Sequence, residues 1–201
     1  MRTQLHPRVG ERVMQAALRT HGFTLVELMT TVVIIGMAVL IIVPRLKVSP
    51  RSHVRHAAEQ LVNDLELIRT RALSTKSMVR LDCNTGGASY VGYLDDNQDG
   101  VISATTAEAQ AMRGFGQRSL ANGVVFGLGS VPRLPGDTLS GPVTFASDQI
   151  LFSNRGLPQP FGVRGTVYFT HPDDNTIASA VSVTGSGSFR TWNYMPGGGW
   201  Q

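Results

Sequence analysis

The chain has 201 residues, 42% of them hydrophobic and only 16% charged, with 22 glycines. That length allows one membrane segment plus one globular domain able to bury its own core, and the composition argues for turns and strands over long solvated helices. The formal charge of +4 sits mostly at the front: residues 1–22 hold Arg2, Arg8, Arg12 and Arg19 against Glu11, leaving 14 basic and 13 acidic side chains elsewhere, so the basic balance is no argument for nucleic-acid binding by the rest of the chain.

After that basic stretch, Leu28 to Val43 runs without a charge, and Phe23 to Val26 extends the run upstream. The total reaches about 20 residues, the length a helix needs to cross a bilayer. Glu27 interrupts it. A carboxylate at membrane depth costs on the order of 3 kcal/mol on insertion scales and so needs a reason. An ordinary secretory signal ends its apolar run at small residues, whereas this one ends in Val43-Pro44-Arg45. Charge does not set the orientation, because Arg45, Lys47, Arg51 and Arg55 follow the run closely and balance the basic residues before it,. Gly36, Pro44 and Pro50 predict a kink or local melting between residues 36 and 50.

From Arg51 a helical period resumes, with Val54, Ala58, Leu61, Leu65, Ile68 and Ala72 on one face,. Arg51, Arg55, Glu59, Glu66, Arg69 and Arg71 fall largely off that stripe and read as a solvated face. His53 and His56 are three apart, but no third ligand accompanies them, and they read as a solvated pair. Beyond Ser77 the pattern becomes short alternating runs: Met78–Cys83, Ala88–Leu94, Gly123–Leu128, Val143–Phe145, Gln149–Phe152, Thr166–Thr170 and Ala178–Thr184,. The cluster Asn84-Thr85-Gly86-Gly87 predicts a turn between the first two. The single cysteine, Cys83, excludes an intramolecular disulfide and reads as a half-buried strand residue,. A long helix followed by strands predicts an α+β fold, with the helix packed on a small antiparallel sheet. Four parts are expected: 1–22, a basic leading segment; 23–43, an apolar helix; 44–77, its amphipathic continuation; and 78–201, a β-rich globular domain.

The phrase Gly22-Phe23-Thr24-Leu25-Val26-Glu27 resembles the cleavage signature of type IV prepilins and type II secretion pseudopilins. The resemblance implies a cut between Gly22 and Phe23 by a prepilin peptidase, N-methylation of Phe23, a cytoplasmic leader and a globular domain on the far side of the inner membrane. Cutting there frees a cationic amine four residues from Glu27. When subunits stack, that amine of one chain can meet Glu27 of another, and a paired carboxylate in low dielectric is far less penalised than a lone one. The order of later features resembles the pseudopilin H / FimT family of minor pilin-like proteins. Those features are the helix ending near Ala72-Leu73-Ser74, the strand leading into Asp95-Asp96-Asn97-Gln98-Asp99-Gly100, the segment Phe152-Ser153-Asn154-Arg155-Gly156, and a last strand into a glycine turn and Arg190. This implies a domain of two small sheets against the helix, and other major and minor pilins or pseudopilins as partners.

Two stretches invite a ligand. Asp95, Asn97 and Asp99 followed by Gly100 fit the first half of a calcium loop, but Thr106 stands where the closing acid belongs and Glu108 comes two residues late,. The segment reads as an Asp/Asn-rich turn, with a Ca2+ site as the alternative. Some FimT-like minor pilins bind DNA through a Gly-Arg-x-Arg turn near the C-terminus. This chain has Gly187-Ser188-Phe189-Arg190, one cation short, and removing one of two phosphate-binding cations weakens the electrostatic case. Arg190, Arg164, Trp192 and Tyr194 could still form a stacking platform; the alternative is a hairpin turn with an edge-strand arginine. No G-x-S-x-G, P-loop or paired metal motif marks an enzyme, and no cofactor is expected apart from that ion.

Overall fold

The computed structural model describes residues 23–42 and 49–201. It divides into two compact units, one before residue 48 and one after it. In the first unit, helix α1 spans Leu25–Ile42. The Thr24 hydroxyl accepts from the Glu27 N–H at 3.2 Å, closing the helix start, and Thr30 and Thr31 return their hydroxyls to the carbonyls of Glu27 and Leu28 at 2.9 Å. The helix runs unbroken through Gly36 to Ile42: one glycine costs about 1 kcal/mol in a helix and does not end it. The rest of the predicted kink, 43–48, lies outside the described residues.

The second unit opens with helix α2, Pro50–Thr75. Pro50 fits its first turn, where a missing N–H is harmless, and Lys76 ends it in the left-handed region,. The predicted stripe is its buried face: Val54, Ala58, Leu61, Leu65, Ile68 and Ala72 are all buried, joined by Ala57. Two antiparallel sheets receive it. The first contains β1 (Val79–Asn84), β2 (Ser89–Leu94), β3 (Arg118–Ser119), β5 (Gln149–Phe152) and β6 (Pro158–Gln159), in the order β3-β2-β1-β5-β6. The second contains β4 (Val125–Phe126), β7 (Gly165–His171), β8 (Asp174–Val183), β9 (Phe189–Met195) and β10 (Gly199–Trp200), in the order β10-β9-β8-β7-β4. The register is fixed by apolar alternation, with Val79↔Leu94 and Leu81↔Gly92 in the first sheet and Val167↔Val181 in the second,. Leu81, Ile150, Phe152, Val167, Phe169 and Val181 meet the α2 stripe in one core. A smaller cluster, Leu134, Tyr168 and Ala180 with Trp192 and Trp200 against it, covers the other face of the second sheet.

The chain is therefore α+β, as its pattern predicts, with the two sheets that the resemblance implies and one further helix. Helix α3 (Thr106–Ala111) interrupts the strands and is capped by Thr105, whose side chain accepts from the Glu108 N–H. The predicted strand Val143–Phe145 is reduced to a bridge, Val143↔Val167, before a 3-10 turn at Ala146–Asp148.

Cys83 is buried rather than half-buried, and burial pushes its thiol from 9.0 up to about 12. Burial, helped by a hydrogen bond to Asp137, also pushes the Tyr168 phenol from 10.0 to about 12. Both groups hold their protons more tightly folded than unfolded, so their contribution is complete below about pH 9 and is lost as pH rises toward 12. The melting temperature is expected to fall from about pH 9 upward, and Cys83→Ala to flatten the first part of that fall. A series of thermal melts from pH 7 to 11 checks both; a fall of equal slope in the variant would show that the thiol is not responsible.

Candidate functional site

Helix α1 is apolar on all sides and exposed along its length, from Leu25 at 75% to Leu40 at 76% and Ile41 at 61%. A soluble helix keeps a polar face; one apolar all round must be covered by lipid or by other apolar helices. Its only charged residue is Glu27, in the first turn, where the helix dipole favours an anion. Phe23 precedes the helix and is 78% exposed. The chain end that a cut after Gly22 would create and the only carboxylate of α1 thus sit at the same end of one helix. Gly22 lies outside the described residues. Among the described residues no helix is long and apolar enough to cross a membrane: the 18 residues of α1 span roughly 27 Å, against a hydrocarbon core of roughly 30 Å. The expected 23–43 segment includes Val43, which is also outside them.

The strands are tied to α2 by two polar side chains, one of which, Arg69, periodicity assigned to solvent. Arg69 is half-buried: its Nε donates to the Gly156 carbonyl and its Nη1 to that of Gly187, both at 3.1 Å. One guanidinium thereby holds the 153–156 turn and the 184–187 turn against the helix. Asp64 is buried and accepts from the Tyr90 hydroxyl at 2.6 Å, with Arg118 Nε 3.8 Å from the same oxygen. Burial, and then that hydrogen bond, push the Tyr90 phenol upward. Asp64 falls three residues after Leu61 and four before Ile68, so its place on the apolar face was a signal in the sequence that a partner awaited it. The histidine pair also separates. His56 is exposed beside Glu59, while His53 turns inward, its Nδ1 buried and its ring 6.4 Å from that of His171.

The C-terminal turn is shaped by packing. Gly187 has φ +81° and a Cβ there would stand 3.1 Å from the Gly156 carbonyl oxygen, so glycine is required for conformation and for space. Arg190 is exposed on β9 and lies over the Trp192 ring at 3.9 Å. Trp192 donates its indole N–H to Ser182, and Tyr194 packs edge-on against Trp200 at 5.5 Å. Arg164 is exposed. At Arg190 the strand pairs only with β8, since β10 reaches no farther than Tyr194 and Met195; the edge-strand placement expected for it holds at that residue. Asp95, Asn97 and Asp99 share one turn between β2 and α3. Among the described residues no three His, Cys, Asp or Glu side chains are grouped to hold a metal.

The family described as Type II transport protein GspH matches residues 57–187, well over half of the chain. The chain is a member of that family. The Prokaryotic N-terminal methylation motif matches residues 18–43, spanning the Gly22-Phe23 junction and Glu27. The family and the motif together make it a minor pilin-like subunit of the type II secretion and type IV pilus kind, and the family is one of structural subunits. Among solved structures, the type IV minor pilin FimU of Pseudomonas aeruginosa aligns with TM-score 0.48 and 13% identity over 75% of this chain and 94% of that one. The minor pseudopilin EpsH from the Type 2 Secretion System of Vibrio cholerae aligns with TM-score 0.45 and 14% identity over 69% and 94%. No curated relative matches the chain in sequence.

Proposed function

We propose that this family member is cut between Gly22 and Phe23 by a prepilin peptidase, methylated on the Phe23 amine, and held as a single-pass protein in the inner membrane until it joins a periplasmic filament. The segment 23–43 is the anchor, and the domain from residue 50 onward faces away from the cytoplasm. The observation that carries this reading is α1 itself: a helix apolar on every side, with one carboxylate in its first turn and the predicted new chain end directly before it. Lipid covers such a surface before assembly and neighbouring helices cover it afterwards, while Glu27 selects the register at which an incoming amine can pair with it.

Mass spectrometry of the membrane fraction tests the processing. The expected result is a chain beginning at Phe23, with residues 1–22 lost and one methyl gained. Gly22→Trp is expected to abolish the cut, because a bulky residue cannot replace glycine in a narrow cleft. An intact Met1 chain in cells with active peptidase, or full processing of the Trp variant, would defeat the proposal.

DNA capture is the second reading, favoured by the exposed Arg190 on its tryptophan. Less supports it. One face of that guanidinium is covered, Ser188 stands where a second cation would help, and the residues after the leader are nearly balanced in charge,.

A further inference from the structure

Charge is unevenly placed in the globular unit. From Gln149 to Gln201 the chain has Arg155, Arg164 and Arg190, no lysine, and Asp173 and Asp174 as its only acids. Those acids lie where β7 turns into β8, at the His171↔Asp174 pair. Arg164 and Arg190 lie at the other end of the sheet, where Gly165 pairs with Val183 and Val183 with Phe189. At about 3.4 Å per strand residue the two ends are roughly 20 Å apart. Arg155 joins the arginines through the turns that Arg69 holds. The Arg69 guanidinium binds the carbonyls of Gly156 and Gly187, and a Cβ on Gly185 would stand 2.7 Å from the Gly162 carbonyl oxygen. The backbone at 155–156, at 161–164 and at 184–190 therefore meets in one place. Arg155, Arg164 and Arg190 are exposed there, and none is in an ion pair among the described residues. In the same place Phe161 is 78% exposed. The acids bordering this surface are Glu66, three residues before Arg69 on α2, and Asp99, beside Gly100 in a groove that Pro160 and Val163 also line. Neither pairs with these arginines.

We propose that this surface, Phe161 set among Arg155, Arg164 and Arg190, docks a different pilin-type subunit that presents carboxylates around an apolar recess. The inference rests on the function proposed above, which brings such subunits to the same membrane. A lone exposed phenylalanine needs no explanation. One set among unpaired arginines, in a stretch without lysine or glutamate, has the composition of an interface centre, where aromatic residues and arginine are enriched and lysine and acids are depleted. The partner's charge follows from complementarity: three cations without counter-charges turn away a basic surface and favour an acidic one. Guanidinium suits the task, because its planar fork matches a carboxylate and it is weakly hydrated. Nucleic acid fits less well. Trp192 is covered on one face by Arg190 and gives its N–H to Ser182, and Tyr194 packs on Trp200. Of these rings and Phe161, only Phe161 stands open, whereas a strand of bases stacks on a succession of rings.

The test places a photoreactive benzophenone side chain at Phe161, which keeps an aromatic ring there, in the full chain expressed in cells that assemble the filament. Crosslinked products are purified from membranes and identified by mass spectrometry, beside the N-terminus and the inserted amount of the chain. The expected result is a crosslink to a different pilin-type subunit, at a segment carrying Asp or Glu. Arg155→Glu combined with Arg164→Glu is expected to lower the yield about tenfold or more, while Arg155→Lys combined with Arg164→Lys, which keeps the charge, retains most of it. Arg190 stays in place because it covers Trp192. Both pairs are exposed and should leave the thermal melt unchanged. Should the glutamate pair fail to fold, Arg155→Gln combined with Arg164→Gln decides in its place, with the yield falling about threefold or more. No crosslink from an inserted chain that begins at Phe23, a crosslink to a second copy of this chain, a yield undiminished by the glutamate pair, or loss of the crosslink on adding duplex DNA to isolated membranes would each overturn the surface. A chain that keeps Met1 would instead defeat the processing, and this surface with it.

Discussion

Glu27→Ala is expected to separate insertion from assembly. Removing the carboxylate leaves α1 without a charge, so membrane insertion is expected to improve by on the order of 3 kcal/mol on insertion scales. Assembly moves the other way. In the proposed assembly the wild-type carboxylate is penalised in lipid and relieved only where a cation meets it, which would concentrate its effect at the correct register. Losing that selectivity is expected to lower co-purification with partner pilin-type subunits about tenfold or more, the equivalent of about 1.4 kcal/mol or above. Glu27→Gln, which keeps the size and discards the charge, should behave like alanine. The measurement is crosslinking in membranes followed by quantification of captured partners, beside the amount of inserted chain. Full capture by either variant would show that charge at residue 27 does not direct docking.

Leu65→Ala is the largest effect expected in the globular unit. Leu65 is fully buried on α2, in the core that both sheets share. A leucine removed from such a place costs about 2–5 kcal/mol, from lost transfer energy and the cavity left behind, against a total of about 5–15 kcal/mol for a domain. Denaturant unfolding of the full chain in detergent should show the midpoint falling steeply, with the proposed processing at Gly22 unaffected. Leu67→Ala, on an exposed residue of the same helix, serves as the control and is expected to change stability by less than about 0.5 kcal/mol. Equal losses for the two leucines would mean that the buried face of α2 has been misplaced.

What the sequence determined by itself was whatever a short window can encode. The methylation motif over residues 18–43, the charge at Glu27 and the apolar run need only neighbours along the chain. The α2 stripe is a period of 3.6 repeated over about five turns, and the turn at Asn84–Gly87, where Asn84 accepts from the Gly87 N–H at 2.9 Å, rests on four residues. Tertiary structure decided the rest. Strands β3, β6 and β10 hold two residues each, too few to show any alternation, and they exist because a longer strand lies beside them. Helix α3 is six residues long, below the length at which periodicity speaks. Arg69 reads as a solvated charge until the chain brings Gly156 and Gly187, 87 and 118 residues away, within reach of its guanidinium. His53 reads as half of a solvated pair until His171 arrives beside it. The Asp95 turn was visible as a motif, but the burial of Asp95 was not, because burial is a property of what packs around a residue and not of the residues on either side of it.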